Sequence, residues 1–138
     1  MSAKFSFEVD PARDLVRIRM RGFFEHDDLH AFLEARRRAH LALDCPPNMH
    51  VTLNDLRDMK IQAQEIVDAF RAMLSAPHFR SRRLAFVVGS TLAKAQVMRA
   101  LLGREARCFD DLASAEAWLF ADEEEEERAP VRARRAAG

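Results

Sequence analysis

The chain has 138 residues, 49% apolar and 32% charged, with 22 Lys and Arg balanced by 22 Asp and Glu. That length fits one domain able to bury a real hydrophobic core, and the charge balance excludes a global field that would draw it to nucleic acid or anionic lipid. No stretch approaches the roughly 18 apolar residues of a membrane span, and the opening MSAKFSFEVD has no apolar core behind a basic start, as a secretory signal would.

Residues 4–10, KFSFEVD, alternate Phe5, Phe7 and Val9 with Lys4, Ser6 and Glu8, and residues 15–21, LVRIRMR, alternate Val16, Ile18 and Met20 with Arg17, Arg19 and Arg21. Two such runs joined by DPARD predict a β-hairpin with one buried and one wet face. The Arg stripe reads as a solvated face pairing across the hairpin with Glu8. HDDLHAFLEARRRAHLAL carries Leu29, Phe32, Leu33, His40 and Leu43 near helical spacing, and MHVTLNDL reads as the next strand. QAQEIVDAFRAMLSA sets Ile66, Ala69, Phe70, Met73 and Leu74 on one helical face and stops at Pro77. RLAFVVGS is apolar from Leu84 to Val88, as a central strand covered on both faces should be. TLAKAQVMRALLG predicts a helix capped by Ser90 or Thr91 and ended by Gly103, EARCFDD a short strand, and LASAEAWLF a last helix.

The order is therefore ββαβαβαβα, which predicts right-handed crossovers and a single mixed, mostly parallel sheet of α/β class with an N-terminal hairpin. The domain is expected over 1–121. Residues 122–138, DEEEEE followed by RAPVRARRAAG, have almost no apolar content and read as a disordered charged tail.

HDDLH at 26–30 approximates a zinc-binding helix, with His26, His30 and Glu34 one turn apart. Asp is shorter than the Glu such a site needs. Asp27 and Asp28 are explained as acids at a helix start, so a capped helix is the expectation and a metal-dependent hydrolase the alternative. Cys45 and Cys108 lie too far apart for a metal knuckle, and Cys108 reads as a small buried apolar residue. The only four glycines build no nucleophile elbow and no phosphate-binding loop. In VVGSTLAK, the N–H groups behind Ser90 and Thr91, with Lys94 one turn in, could hold an anion, although plain capping accounts for both hydroxyls. Open α/β sheets bind ligands beyond the carboxyl ends of their parallel strands. Here those ends are expected at Phe24–His26, Asn54–Asp58, Gly89–Thr91 and Asp110–Asp111.

A leading hairpin followed by alternating helices and strands, with LNDLRDM closing the strand before the second helix, resembles the STAS domain. The stretches FRSRRLAFVVGS and CFDDLASAEAWL are similar to those of the small bacterial SpoIIAA-like proteins. That resemblance implies a sheet of four or five strands, no catalysis by the domain, and regulation through a partner. In the antagonists of that family a Ser after the third strand is phosphorylated. The matching RDMKI, Arg57–Ile61, holds no Ser or Thr, so no phosphoswitch is expected there.

The sequence thus predicts a cytoplasmic, non-enzymatic binding module without cofactors. Its first form acts on a protein partner or on a second copy through Asn54, Asp55, Arg57, Asp58, Met59 and Ile61. Its alternative form holds a small apolar or anionic ligand in a pocket at the strand carboxyl ends, near Ser90, Thr91 and Lys94. Exposure of Met59 and Ile61 favours the partner form, and their burial around a cavity favours the ligand form.

Overall fold

The structure, a computed structural model, describes residues 4–46, 48–76, 80–89, 91–100 and 106–121. Strand β1 (Phe5–Asp10) turns through one 3-10 turn (Pro11–Arg13) into β2 (Leu15–Gly22). The chain continues as α1 (His26–Leu41), β3 (Val51–Met59), α2 (Gln64–Ser75), β4 (Arg83–Val87), α3 (Thr91–Ala100), β5 (Ala106–Phe109) and α4 (Leu112–Phe120). The predicted ββαβαβαβα order is observed. The expected tail at 122–138, together with Ser90 and Gly103, lies outside the described residues.

The alternating runs zip together as expected, from Phe5 opposite Met20 to Asp10 opposite Leu15. Pro11 sets the turn, and Asp14 closes it in the left-handed region at φ 51°. The remaining neighbours are parallel, and the sheet order is β1-β2-β3-β4-β5. Each crossover steps in the same direction, so right-handedness puts α1, α2 and α3 on one face of the sheet. That face carries Val16, Ile18, Met20, Leu56, Leu84 and Phe86 against Phe32, Ile66 and Phe70 of the helices. The rings of Phe5, Phe7, Phe24, Phe32 and Phe70 meet there at centroid distances of 5.1–6.2 Å, within the range where tilted and edge-on pairs attract.

After β5 the chain crosses to the other face, where α4 sets Ala115, Trp118 and Leu119 on Leu15, Val51, Leu53, Ala85 and Val87. β4 is therefore buried along its whole length, as its uninterrupted apolar run predicted. Arg83 is the exception in type and is only 4% exposed. Its Nη1 donates to the carbonyls of Trp118 at 2.6 Å and Ala121 at 2.8 Å, capping the end of α4. The Arg stripe of β2 stays on the part of this face that α4 leaves open. Arg17 lies 3.7 Å from Glu8 across the hairpin and 3.3 Å from Glu116 of α4. The reading as a solvated, ion-paired face holds.

Candidate functional site

Strand β3 runs to Met59, so Asn54 and Asp55 sit inside it rather than beyond its end. Pairing with β2 as far as Gly22–Met59 carries the strand past the polar burst. Between Arg19–Asp55 and Arg21–Asp58, β2 advances two residues while β3 advances three. This bulge inserts one residue and reverses the alternation downstream of it. Asn54 and Leu56 already face the helices, and the reversal turns Met59 to that side as well.

These three residues, with Met20, Phe86 and Val88 of the sheet, floor a cavity of about 80 Å³ roofed by α1, α2 and α3. Phe32, Val67, Phe70, Met73, Leu74 and Val97 close the roof, and Lys60 is the lone charged side chain among the described lining residues. A water needs on the order of 10–15 Å³ measured this way, so the space holds several waters or a small organic group. Its apolar walls favour the organic group.

Gln62 and Gln96 stand at the cavity wall and tie its elements together. The Gln62 Oε1 accepts from the Phe24 N–H at 2.8 Å, and its Nε2 donates to the carbonyls of Gly22 at 2.9 Å and Lys60 at 2.6 Å. Its main chain exchanges two 2.8 Å hydrogen bonds with the Gln96 amide, Oε1 accepting from the Gln62 N–H and Nε2 donating to the Gln62 carbonyl. One amide thus joins the end of β2 to the loop before α2, and the other joins that loop to α3. Neither residue stood out in the sequence, because a lone Gln between KI and AQ has no periodic or motif signal.

A second, smaller chamber of about 30 Å³ lies further back on the same sheet face, bordered by Thr52, Ser81, His40, Arg36 and Arg80. His40 Nδ1 is 2.7 Å from the Arg36 carbonyl, His40 Nε2 is 3.1 Å from His50 Nε2, and Ser81 Oγ is 3.2 Å from the same His50 nitrogen and 2.6 Å from Thr52 Oγ1. Burial pushes the His40 pKa below its usual value, with the Arg36 charge adding to the effect against the carbonyl contact. Neutral His40 must donate from Nδ1 to the carbonyl, which leaves Nε2 to accept from the His50 N–H.

The other expected residues are dispersed. Asp55 accepts from Arg57 Nε and Nη2 at 2.9 and 2.8 Å, and that guanidinium holds its carboxyl below the usual range. Asp58 pairs with Arg19 at 2.7 Å on the surface. Met59 lines the cavity while Ile61 is 46% exposed, so the two apolar anchors part company. Lys94 is exposed on α3, whose first residue is Thr91. Among the described residues no group of His, Cys, Asp and Glu is placed to hold a metal. His26 instead lies 3.5 Å from Glu65, and Asp28 accepts from the Glu25 N–H at 2.8 Å in a capping box, as expected of a capped helix start. Cys108 is buried, and its thiol pKa is raised by that burial.

A mixed five-stranded sheet with three helices over one face and one over the other, and an apolar cavity beneath the three, is a small single-sheet α/β domain. The SpoIIAA-like family matches residues 15–120, and the chain belongs to that family. A solved structure of similar fold is an uncharacterized protein of the DUF3478 family from Shewanella loihica PV-4, described as having a SpoIIAA-like fold. It is 17% identical, with a TM-score of 0.64 over 86% of this chain and 98% of that one. No curated protein matches the chain. Among the described residues, no helix is long and apolar enough to cross a membrane.

Proposed function

We propose that this protein is a non-enzymatic binding module whose cavity between the sheet and α1–α3 holds a small ligand with an apolar body. The observation that carries the reading is the β3 bulge, which turns Met59 onto the cavity and completes an apolar lining with a single charged side chain among the described residues. A surface that recognises a protein through charge is less well supported, because Asp55, Arg57, Asp58 and Arg19 are already paired with one another. Apolar side chains in contact with a ligand are its main source of affinity, and a few polar groups orient it. Native mass spectrometry of freshly purified protein, paired with the denatured mass, tests the proposal. We expect extra mass that vanishes on denaturation, and its loss in Leu74→Trp, which fills the cavity. A clean native spectrum together with no uptake of Nile red would overturn it.

The partner reading keeps one observation of its own. Ile61 is 46% and Phe23 is 44% exposed, on loops joined by the Lys60 N–H to Gly22 carbonyl bond. A partner or second copy would cover them. Concentration-dependent sedimentation that Ile61→Asp abolishes is the result that would favour this reading.

A further inference from the structure

This inference rests on the ligand reading above and adds the chemistry of the occupant. The apolar cavity and the smaller chamber, whose lining mixes apolar and polar side chains, share four lining residues, Phe32, Asn54, Met73 and Leu74. Both spaces lie between the same sheet face and the same two helices. The wall between them is made of side chains, and Met73 is a flexible one. Occupying both spaces at once requires that wall to give way, Met73 by a change of rotamer.

Charge along the combined lining has one sign. The charged side chains on it are Lys60, Arg36 and Arg80, with no carboxylate among the described lining residues, in a chain that has as many acids as bases. The polar donors are also segregated. At the Lys60 end, the Gln62 and Gln96 amides are both engaged with the main chain. At the other end, Thr52 and Ser81 share a 2.6 Å hydrogen bond that uses one of their two hydroxyl hydrogens.

We propose that the site binds a small organic anion lengthwise, with its apolar body in the cavity between Phe70 and Met59 and its carboxylate-sized head in the chamber of Thr52, Ser81, Arg36 and Arg80. The chamber's volume of about 30 Å³ suits such a head, since one water needs on the order of 10–15 Å³. The C-terminal ends of α1 and α2 oppose an anion there with about half a charge each, at most. Two guanidinium groups, each carrying a full charge, outweigh them.

Hexanoate and hexanol share an alkyl chain and differ in the head, so titrating each by calorimetry separates the body from the charge. Hexanoate is expected to bind at least about tenfold more tightly than hexanol. In Arg80→Gln and Arg36→Gln that preference should vanish while hexanol binding persists, which also shows that each variant is folded. Lys60→Gln should keep the preference. Equal binding of the two probes, or a preference lost in Lys60→Gln and kept in both arginine variants, overturns the placement of the head and leaves the apolar pocket standing. Binding of neither probe overturns the pocket reading and this inference with it.

Discussion

Removing the Gln62 side chain should cost the fold far more than its place in a loop implies. Gln62 is 8% exposed, and Gln62→Ala deletes three hydrogen bonds to the main chain. They are not of equal weight. The Gly22 carbonyl keeps a second partner, the Lys60 N–H at 3.1 Å, and Lys60 is an exposed residue. The Phe24 N–H is different. It belongs to a residue with no exposure, and an orphaned buried donor costs about 1–3 kcal/mol. Adding the lost packing of the stem gives a destabilisation of about 2–4 kcal/mol, which urea unfolding would register as a lower midpoint at unchanged slope. Gln62→Glu sharpens the test. Its carboxylate still accepts from Phe24 but faces two carbonyl oxygens that the amide once satisfied. Protonation restores one donor, so the loss should be smaller in acid than at neutral pH. Gln96→Ala should cost less, and the double variant should show non-additive coupling with Gln62→Ala, because the Gln96 amide holds the main chain of the residue whose side chain holds the loop. A Gln62→Ala loss below about 1 kcal/mol would refute the claim that this amide holds the site's elements together.

Burial lowers the His40 pKa from 6.5, so the unfolded chain takes up a proton at a pH where the folded chain does not. Stability contributed by neutral His40 is thus fully present above the unfolded value and falls as pH drops below it. Urea midpoints between about pH 7.5 and about pH 5 should decline, and His40→Gln should flatten the decline; an unchanged slope would refute the assignment. Arg83→Met should destabilise by about 2–4 kcal/mol by removing a donor from the Ala121 carbonyl and from the Trp118 carbonyl, which keeps the Ala121 N–H at 3.3 Å. Near-ultraviolet dichroism of Trp118, the single Trp of the chain, should change with it.

What the sequence made legible was the part ruled by periodicity. Phe5, Phe7 and Val9 alternate because one face of the hairpin packs on α1, and Leu84–Val88 run unbroken because helices cover both faces of β4. Ile66, Phe70, Met73 and Leu74 were readable as an inward stripe by the same logic. The cavity beneath that stripe was not, because hydrophobic spacing tells which side chains turn inward but not whether their volumes fill the space they enclose. Met59 shows the limit most sharply. Strict alternation from Asn54 would send residue 59 to the face away from the helices, and the polar burst around it argued for a surface strip. The bulge between Asp55 and Asp58 changes its side, and nothing in VTLNDLRDM announces an inserted residue. At the same bend the Arg57 carbonyl comes within 3.2 Å of where a Cβ on Gly89 would stand, so the side chain most easily accommodated there is none. The irregularity and the glycine beside it fit one another, and together they decide which residues face the cavity. A local departure from strand geometry, rather than a recognisable motif, therefore converts an ordinary strand end into the floor of a cavity.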